Sequence, residues 1–158
     1  MTASEARSEP KANGVTTVGF SFVEGATGDI SFVASGATLE ALFASAAEAL
    51  LAATLANPGD VAPREREAIR LAEPDLELLL LRFLNELVFL RDARGLLLRA
   101  GRLRIEPGGE ARLEGELVGE RIDRDRHRLE ADVKAATAHG LRVEGEGAGW
   151  RASVTLDV

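Results

Sequence analysis

The segment from Pro74 to Gly95 constrains the fold more than any other part of the chain. Apolar side chains recur in it at spacings of three and four, which places them on one face of an α-helix. Asp75 can cap the first turn, and Gly95 can close the last one. The inward-facing positions are Leu76, Leu79, Leu80, Phe83, Leu84, Leu87 and Leu90, and Leu78 and Leu81 widen this face. The pattern predicts a helix sandwiched against a sheet, or partly covered by another protein chain.

A second helix is predicted earlier in the chain. Thr38 is a suitable N-cap, and Asn57, Pro58 and Gly59 end the helical pattern. Its apolar positions are Leu39, Leu42, Phe43, Ala46 and Leu50. One face of this helix is therefore expected to be buried.

Most of the remaining sequence alternates between apolar and polar residues, which is the period of a β-strand. Glycine and proline separate the alternating segments, and Pro107, Gly108 and Gly109 mark a hairpin. The predicted strands are residues 15–23, 29–34, 64–71, 96–105, 111–122, 129–138, 141–144 and 150–158. The order of elements predicts an α+β fold, in which a largely antiparallel or mixed β-sheet packs with two α-helices.

Length and composition limit the class of protein. A chain of 158 residues that is 46% hydrophobic suits one globular domain, expected at residues 15–158 after a disordered tail at 1–14. Without a signal peptide or a long apolar run, we expect a cytoplasmic protein that does not enter a membrane. The lack of cysteine excludes disulfides and thiolate chemistry, and the net charge of −7 argues against strong direct binding to nucleic acid.

Two aspartates are candidate metal ligands. Asp157 precedes Val158 in the final alternating strand, so pairing of that strand would hold the Asp157 and Val158 carboxyl oxygens in place. Asp29 follows a glycine-containing loop. Carboxyl oxygens suit a hard cation such as calcium or magnesium. Each aspartate alone is more typical of a turn or a solvent-facing position, so a shared site requires the sheet to bring the two together.

Other polar residues carry weaker signals. His127 and His139 lie at opposite ends of the predicted strand 129–138, which favours structural or surface roles over a shared site. Lys134 lies within that predicted strand, where it either faces solvent or reaches a phosphate or carboxylate. Asp123 and Asp125 alternate with arginines, which is typical of a solvated loop. No Ser-His-Asp pattern, P-loop or dinucleotide fingerprint is present, so the residues indicate a metal-binding or partner-binding domain.

Several separated motifs resemble those of the archease family in order and spacing. They are Leu84-Asn85-Glu86-Leu87, His127-Arg128-Leu129, Val133-Lys134-Ala135-Ala136-Thr137 with His139, and the ending 150–158. The resemblance extends from about Val18 to the end of the chain. It implies a small α+β protein that is a protein cofactor of an RtcB-type tRNA-splicing RNA ligase and not itself an enzyme. Such a cofactor promotes guanylylation of the ligase's active-site histidine by GTP and so enables multiple turnover.

The resemblance also implies a site. In archeases a divalent cation, taken to be calcium, is bound by an early aspartate, the C-terminal aspartate and the residue after it, and Asp29, Asp157 and Val158 resemble these three ligands. Lys134 is similar to a lysine implicated in activation of the ligase partner. The chain resembles a divergent member, because the segment from Glu24 to Asp29 lacks the family's usual histidine and carries one extra residue.

Two alternatives from other classes remain open at this point. A small metal-dependent phosphate-ester hydrolase would use Asp29 and Asp157 as ligands of an activating cation. An archease-like binding or chaperone-like module would have a different partner and no effect on guanylylation.

Overall fold

Residues 19–24 and 28–158 are described by the structure, a computed structural model. The predicted tail at 1–14, the first part of the predicted strand 15–23, and the middle of the altered loop at 25–27 lie outside these residues. The described chain forms two α-helices and seven strands, which confirms the α+β class. The elements are β1 Gly19–Val23, β2 Asp29–Gly36, α1 Leu39–Thr54, β3 Glu65–Glu73, α2 Leu76–Arg94, β4 Leu96–Glu106, β5 Ala111–Arg121, β6 Ala135–Glu146 and β7 Gly149–Asp157.

Both helices begin at the caps that the sequence predicts. The Asp75 side chain accepts a hydrogen bond from Leu78 N–H at 2.8 Å, and the Thr38 side chain accepts one from Ala41 N–H at 3.0 Å. Gly95 ends α2 in the left-handed conformation, at a φ of 65°. No helix in the described part of the chain combines the length and apolar character needed to cross a bilayer.

The strands form two antiparallel sheets instead of the single sheet expected. One contains four strands in the order β1-β2-β7-β6, and the other contains three in the order β3-β5-β4. All the strand pairs are antiparallel. In the larger sheet, the early strand β2 therefore lies beside the last strand β7, which brings the start of β2 next to the end of the chain.

The two helices lie between the sheets. Helix α1 contacts β1, β2 and β7 of the larger sheet and β4 of the smaller one, and α2 contacts β6 as well as β3, β4 and β5. The predicted inward face of α2 is buried except for Leu76, which is partly exposed. Together with the inner faces of both sheets, this layer forms the main hydrophobic core.

The predicted strand 129–138 is wrong in its first half. Leu129 forms only an isolated bridge with Leu55, and the strand β6 begins at Ala135. The segment turns toward the end of α1 instead, because Glu130 N–H donates to the carbonyl of Thr54 at 2.8 Å. The predicted pieces 135–138 and 141–144 belong to one strand, whose register with β7 shifts between Thr137 and Arg142.

Candidate metal and partner site at the end of the larger sheet

Asp29 and Asp157 lie directly opposite each other. Asp29 begins β2, Asp157 ends β7, and the antiparallel register pairs the two residues. The carbonyl of Asp157 accepts a hydrogen bond from Lys134 N–H on the other side of β7, so the pair with Asp29 is a non-hydrogen-bonded one. In such a pair the Cα atoms are about 4.5 Å apart and the side chains share one face. Since both side chains are exposed, two carboxylates occupy one small area of the surface.

Lys134 and Val158 lie beside the Asp29–Asp157 pair. Lys134 N–H is 2.8 Å from the Asp157 carbonyl oxygen, and the next residue, Ala135, pairs with Asp157. Val158 N–H donates to the carbonyl of Gly28 at 3.4 Å, which extends the β2–β7 pairing by one residue. The fold therefore brings together the four residues singled out from the sequence, Asp29, Lys134, Asp157 and Val158, and we call them the sheet-end site.

The sheet-end site carries two negative charges, from Asp29 and Asp157, and one positive charge, from Lys134. Ion pairs with other described residues do not neutralise them. Within residues 19–24 and 28–158, no ion pair or side-chain hydrogen bond involves the side chains of Asp29, Lys134 or Asp157. Like charges placed directly opposite each other on neighbouring strands destabilise a sheet. The acidic pair is thus a local cost to the fold that a bound cation would remove.

The donors at the sheet-end site fit a hard cation. The described residues contain no group of three or more His, Cys, Asp or Glu side chains that could hold a metal, so the protein offers two carboxylates and neighbouring main-chain oxygens. Calcium and magnesium accept such oxygen donors and complete their coordination with water, whereas a structural zinc site needs four nitrogen or sulfur ligands. The residues present therefore suit an open, partly hydrated site for calcium or magnesium.

Small hydroxyl side chains surround the acidic pair on the outer face of the sheet. One pair further along the strands, Ser31 Oγ and Thr155 Oγ1 are 3.1 Å apart, and Thr137 Oγ1 donates to the Thr155 carbonyl at 3.3 Å. These residues share a face with Asp29 and Asp157, because side chains two residues apart in a strand point the same way. The surface beside the carboxylates is therefore polar and has few large side chains.

His127 has a structural role, as expected. Its ring is buried, its Nδ1 accepts a hydrogen bond from Asp123 N–H at 2.9 Å, and its Nε2 lies 2.9 Å from Glu120 Oε2. This arrangement assigns the ring proton to Nε2. Since both nitrogens are engaged, neither can bind a metal, while His139 is exposed in the irregular part of β6.

Glu120 is the buried centre of the cluster around His127. It accepts hydrogen bonds from Arg126 at 2.7 Å and from Ala62 N–H at 2.8 Å. The Arg126 hydrogen bond, with those from Ala62 and His127, lowers the pKa of Glu120 from 4.5 to about 2, although burial acts in the opposite direction. The same contact raises the pKa of Arg126. This cluster is a structural ion pair that ties the chain after β5 to the turn near Ala62.

Asp123 and Asp125 form a turn, which agrees with the expectation of a surface loop. Asp123 Oδ1 accepts a hydrogen bond from Asp125 N–H at 3.0 Å, and the Asp123 carbonyl accepts one from Arg126 N–H at 3.0 Å. Asp123 is therefore occupied in holding its own loop.

Asn85 and Arg91 were not singled out from the sequence as site residues. Both extend from α2 and bond to the main chain on either side of Lys134, at Ala136 and Val133. The available signal is the polar Asn85 in the middle of a leucine-rich helix, since an amide that is partly removed from water needs partners.

Comparison with known proteins defines the family. The model of the Archease protein family (MTH1598/TM1083) matches residues 20–158. "Protein archease" of Thermococcus gammatolerans is 38% identical over 119 residues, covering 75% of this chain and 83% of that protein. "Protein archease" of Methanosarcina acetivorans is 33% identical over 135 residues, covering 84% of this chain and 91% of that protein.

Solved structures show the same fold. The solution structure of protein 1598 of Methanobacterium thermoautotrophicum matches with a TM-score of 0.75 and 29% identity, covering 88% of this chain and 98% of that one. A crystal structure from Thermotoga maritima, described as an archease and possible chaperone, matches with a TM-score of 0.51 over 84% of this chain and 93% of that one. At 20% identity, the latter supports the fold alone. The chain belongs to the archease family.

Proposed function

We propose that this chain is an accessory protein that activates an RtcB-type tRNA-splicing RNA ligase. It promotes GTP-dependent guanylylation of the ligase and so supports multiple turnover, and it is found with that ligase in the cytoplasm. Membership of the archease family supports the proposal. The observation that carries it is the pairing of Asp29 with Asp157 beside Lys134. By their resemblance to archease motifs, these residues are similar to the family's cation ligands and activating lysine.

The acidic pair has a defined task in this proposal. Asp29, Asp157 and a main-chain oxygen of Val158 would hold a divalent cation, calcium in the first instance. A cation bound there supplies positive charge that can attract the phosphate oxygens of a nucleotide. Without the cation, the carboxylates would repel that nucleotide, so the acidic pair needs the cation to serve a guanylylation reaction.

Lys134 has a complementary task. Its side chain is exposed, and a hydrogen bond to the Asp157 carbonyl holds its main chain beside the acidic pair. An ammonium group is a compact charge that can bind a phosphate or a carboxylate of the partner. The chain as a whole has a net charge of −7, which favours recognition of a protein partner over direct binding to the RNA backbone.

Guanylylation of a purified RtcB-type ligase tests the proposal. The ligase is incubated with labelled GTP, with and without this protein at a substoichiometric amount. We expect modification to reach completion and repeated ligation to occur only when the protein is present. A fully competent ligase that responds in neither measurement would contradict the proposal.

Two controls separate the alternative functions. Turnover of a phosphate-ester substrate by the isolated protein with calcium or magnesium would indicate a hydrolase. Binding to the ligase without any change in guanylylation would indicate a binding or chaperone-like module. The proposal predicts that both controls are negative.

A further inference from the structure

The main chain around Lys134 is held on its open side by a helix. β6 is an edge strand, so the outer hydrogen-bonding groups near its start have no neighbouring strand within the described residues. Residues 130–134 precede the regular part of β6. On the inner side, Lys134 N–H is bonded to the Asp157 carbonyl. The position of Lys134 therefore depends on this inner bond and on the contacts that hold the outer side of the chain.

Asn85 provides one support. Its amide nitrogen donates to the Ala136 carbonyl at 3.0 Å, and its amide oxygen accepts from Ala136 N–H at 2.8 Å. A carboxamide carries one donor group and one acceptor, as a main-chain peptide does, so Asn85 takes the place of a neighbouring strand at this residue. Ala136 itself is buried, so these two bonds are partly shielded from water.

Arg91 provides the second support. Its guanidinium group donates to the Val133 carbonyl, and its side chain is only 11% exposed. The same group lies 2.8 Å from Asp92 Oδ1 and 3.6 Å from Asp132 Oδ1, which fixes its orientation. Val133 is completely buried, so the residue before Lys134 is anchored by both its side chain and its carbonyl.

The spacing of the two supports matches the segment that they hold. Six residues of α-helix rise about 9 Å from Asn85 to Arg91. Three residues of extended chain from Val133 to Ala136 span about 10 Å. The helix therefore contacts the chain on both sides of Lys134.

We propose that Asn85 and Arg91 are positioning residues that hold Lys134 at the sheet-end site. The role of Lys134 in activation rests on the proposed function, whereas the positioning itself can be measured without a ligase. Neither residue contacts the acidic pair through its side-chain hydrogen bonds; both act through the main chain next to Lys134.

Amide hydrogen exchange measures the positioning. Asn85→Leu removes both amide contacts while keeping a side chain of similar size, and Glu77→Leu is the matched control. Glu77 also extends from α2 to the edge of β6, where it accepts a hydrogen bond from Val143 N–H at 3.1 Å. We expect Asn85→Leu to accelerate exchange at Lys134 and Ala136 at least about fivefold, and Glu77→Leu to leave both amides unchanged. Equal effects of the two variants at Lys134 would overturn the proposal.

A variant of Arg91 keeps the proposal testable if Asn85→Leu does not fold. Arg91→Met keeps much of the apolar stem of the side chain and removes the guanidinium group. We expect faster exchange at Lys134 in this variant as well. Unchanged exchange at Lys134 in folded Arg91→Met would remove Arg91 from the proposal.

A double-mutant cycle links the positioning to activation. If Asn85 acts through Lys134, the double variant Asn85→Leu/Lys134→Ala stimulates guanylylation as strongly as Lys134→Ala alone. If Asn85 only stabilises the fold, the two losses multiply, and the proposal is overturned. A wild-type protein that fails to stimulate the ligase would instead refute the proposed function, and the exchange experiment would still decide the positioning.

Discussion

At the scale of single residues, Glu120 makes the stability of the fold depend on pH in acid. Its pKa is about 2 in the folded protein against an ordinary 4.5, so the ionised form is favoured by folding. This contribution to stability is fully present above pH 4.5 and is lost as the pH falls toward 2. We expect Glu120→Gln to lower the free energy of unfolding by about 2 kcal/mol at pH 7, because charged hydrogen bonds are replaced by neutral ones.

Urea denaturation at a series of pH values checks this expectation. The difference between wild type and Glu120→Gln should narrow between pH 4.5 and pH 2. Glu116→Gln is the control, since Glu116 lies on the same strand but forms an exposed pair with Arg66 at 2.9 Å. If the difference in free energy of unfolding stayed constant across this range, the contacts of Glu120 would not lower its pKa.

The acidic pair at the sheet-end site makes a second prediction at the residue scale. Without divalent cations, Asp29→Asn should leave the melting temperature unchanged or raise it, because it removes a like-charge contact. With calcium at about 100 times its Kd, wild type should gain about 2.7 kcal/mol of stability, and Asp29→Asn should gain much less. Asp157→Asn should behave in the same way.

Calorimetric melting with and without calcium checks this prediction. Asp125→Asn is a suitable control, because Asp125 is an exposed aspartate in the turn after β5. Equal stabilisation of the wild type and both sheet-end variants by calcium would show that the cation binds elsewhere.

At the scale of elements, alanine substitutions at two glycines measure two different costs. One cost is backbone strain, and the other is a steric clash between strands. Gly95 adopts a left-handed φ at the end of α2 with open space around it, so Gly95→Ala should cost about 1 kcal/mol. A Cβ atom on Gly119 would lie 1.8 Å from the Leu97 carbonyl oxygen in the neighbouring strand. Gly119→Ala should therefore separate β4 from β5 and cost about 3 kcal/mol or more.

Chemical denaturation of these variants provides the measurement. Gly109→Ala, in the hairpin turn, is the control, because a Cβ atom there would contact nothing within 4 Å. If Gly119→Ala were no more destabilising than Gly95→Ala, the close approach of β4 and β5 would be refuted.

Elements with local signals could be predicted from the sequence, and those set by distant contacts could not. Asp75 and Gly95 mark the ends of α2 through caps that involve only neighbouring residues. Alternation alone misplaced the start of β6, because Glu130 bonds to Thr54 near the end of α1 and not to a strand. The division of the strands into two sheets likewise depends on long-range packing that period-two alternation does not encode.

At the scale of the whole molecule, the candidate site exists because an early strand, β2, and the last strand, β7, are neighbours in the larger sheet. The residues alone predicted carboxylates suited to a hard cation, but not that β2 pairs with β7 to place Asp29 opposite Asp157. The resemblance to archeases supplied that proximity. The contribution of Asn85 was not predicted, because its partner Ala136 lies in another element and only the folded chain brings the two together.

The measurement that tests the account most directly is ligase guanylylation by site variants. Lys134→Ala, Asp157→Asn and the control Arg66→Ala are compared with wild type at equal substoichiometric amounts, after melting curves confirm that each is folded. Arg66 is exposed on the smaller sheet, away from the sheet-end site. We predict that Lys134→Ala and Asp157→Asn lose most of the stimulation of guanylylation and that Arg66→Ala keeps it. Full stimulation by both sheet-end variants would contradict the central claim that this site activates the ligase.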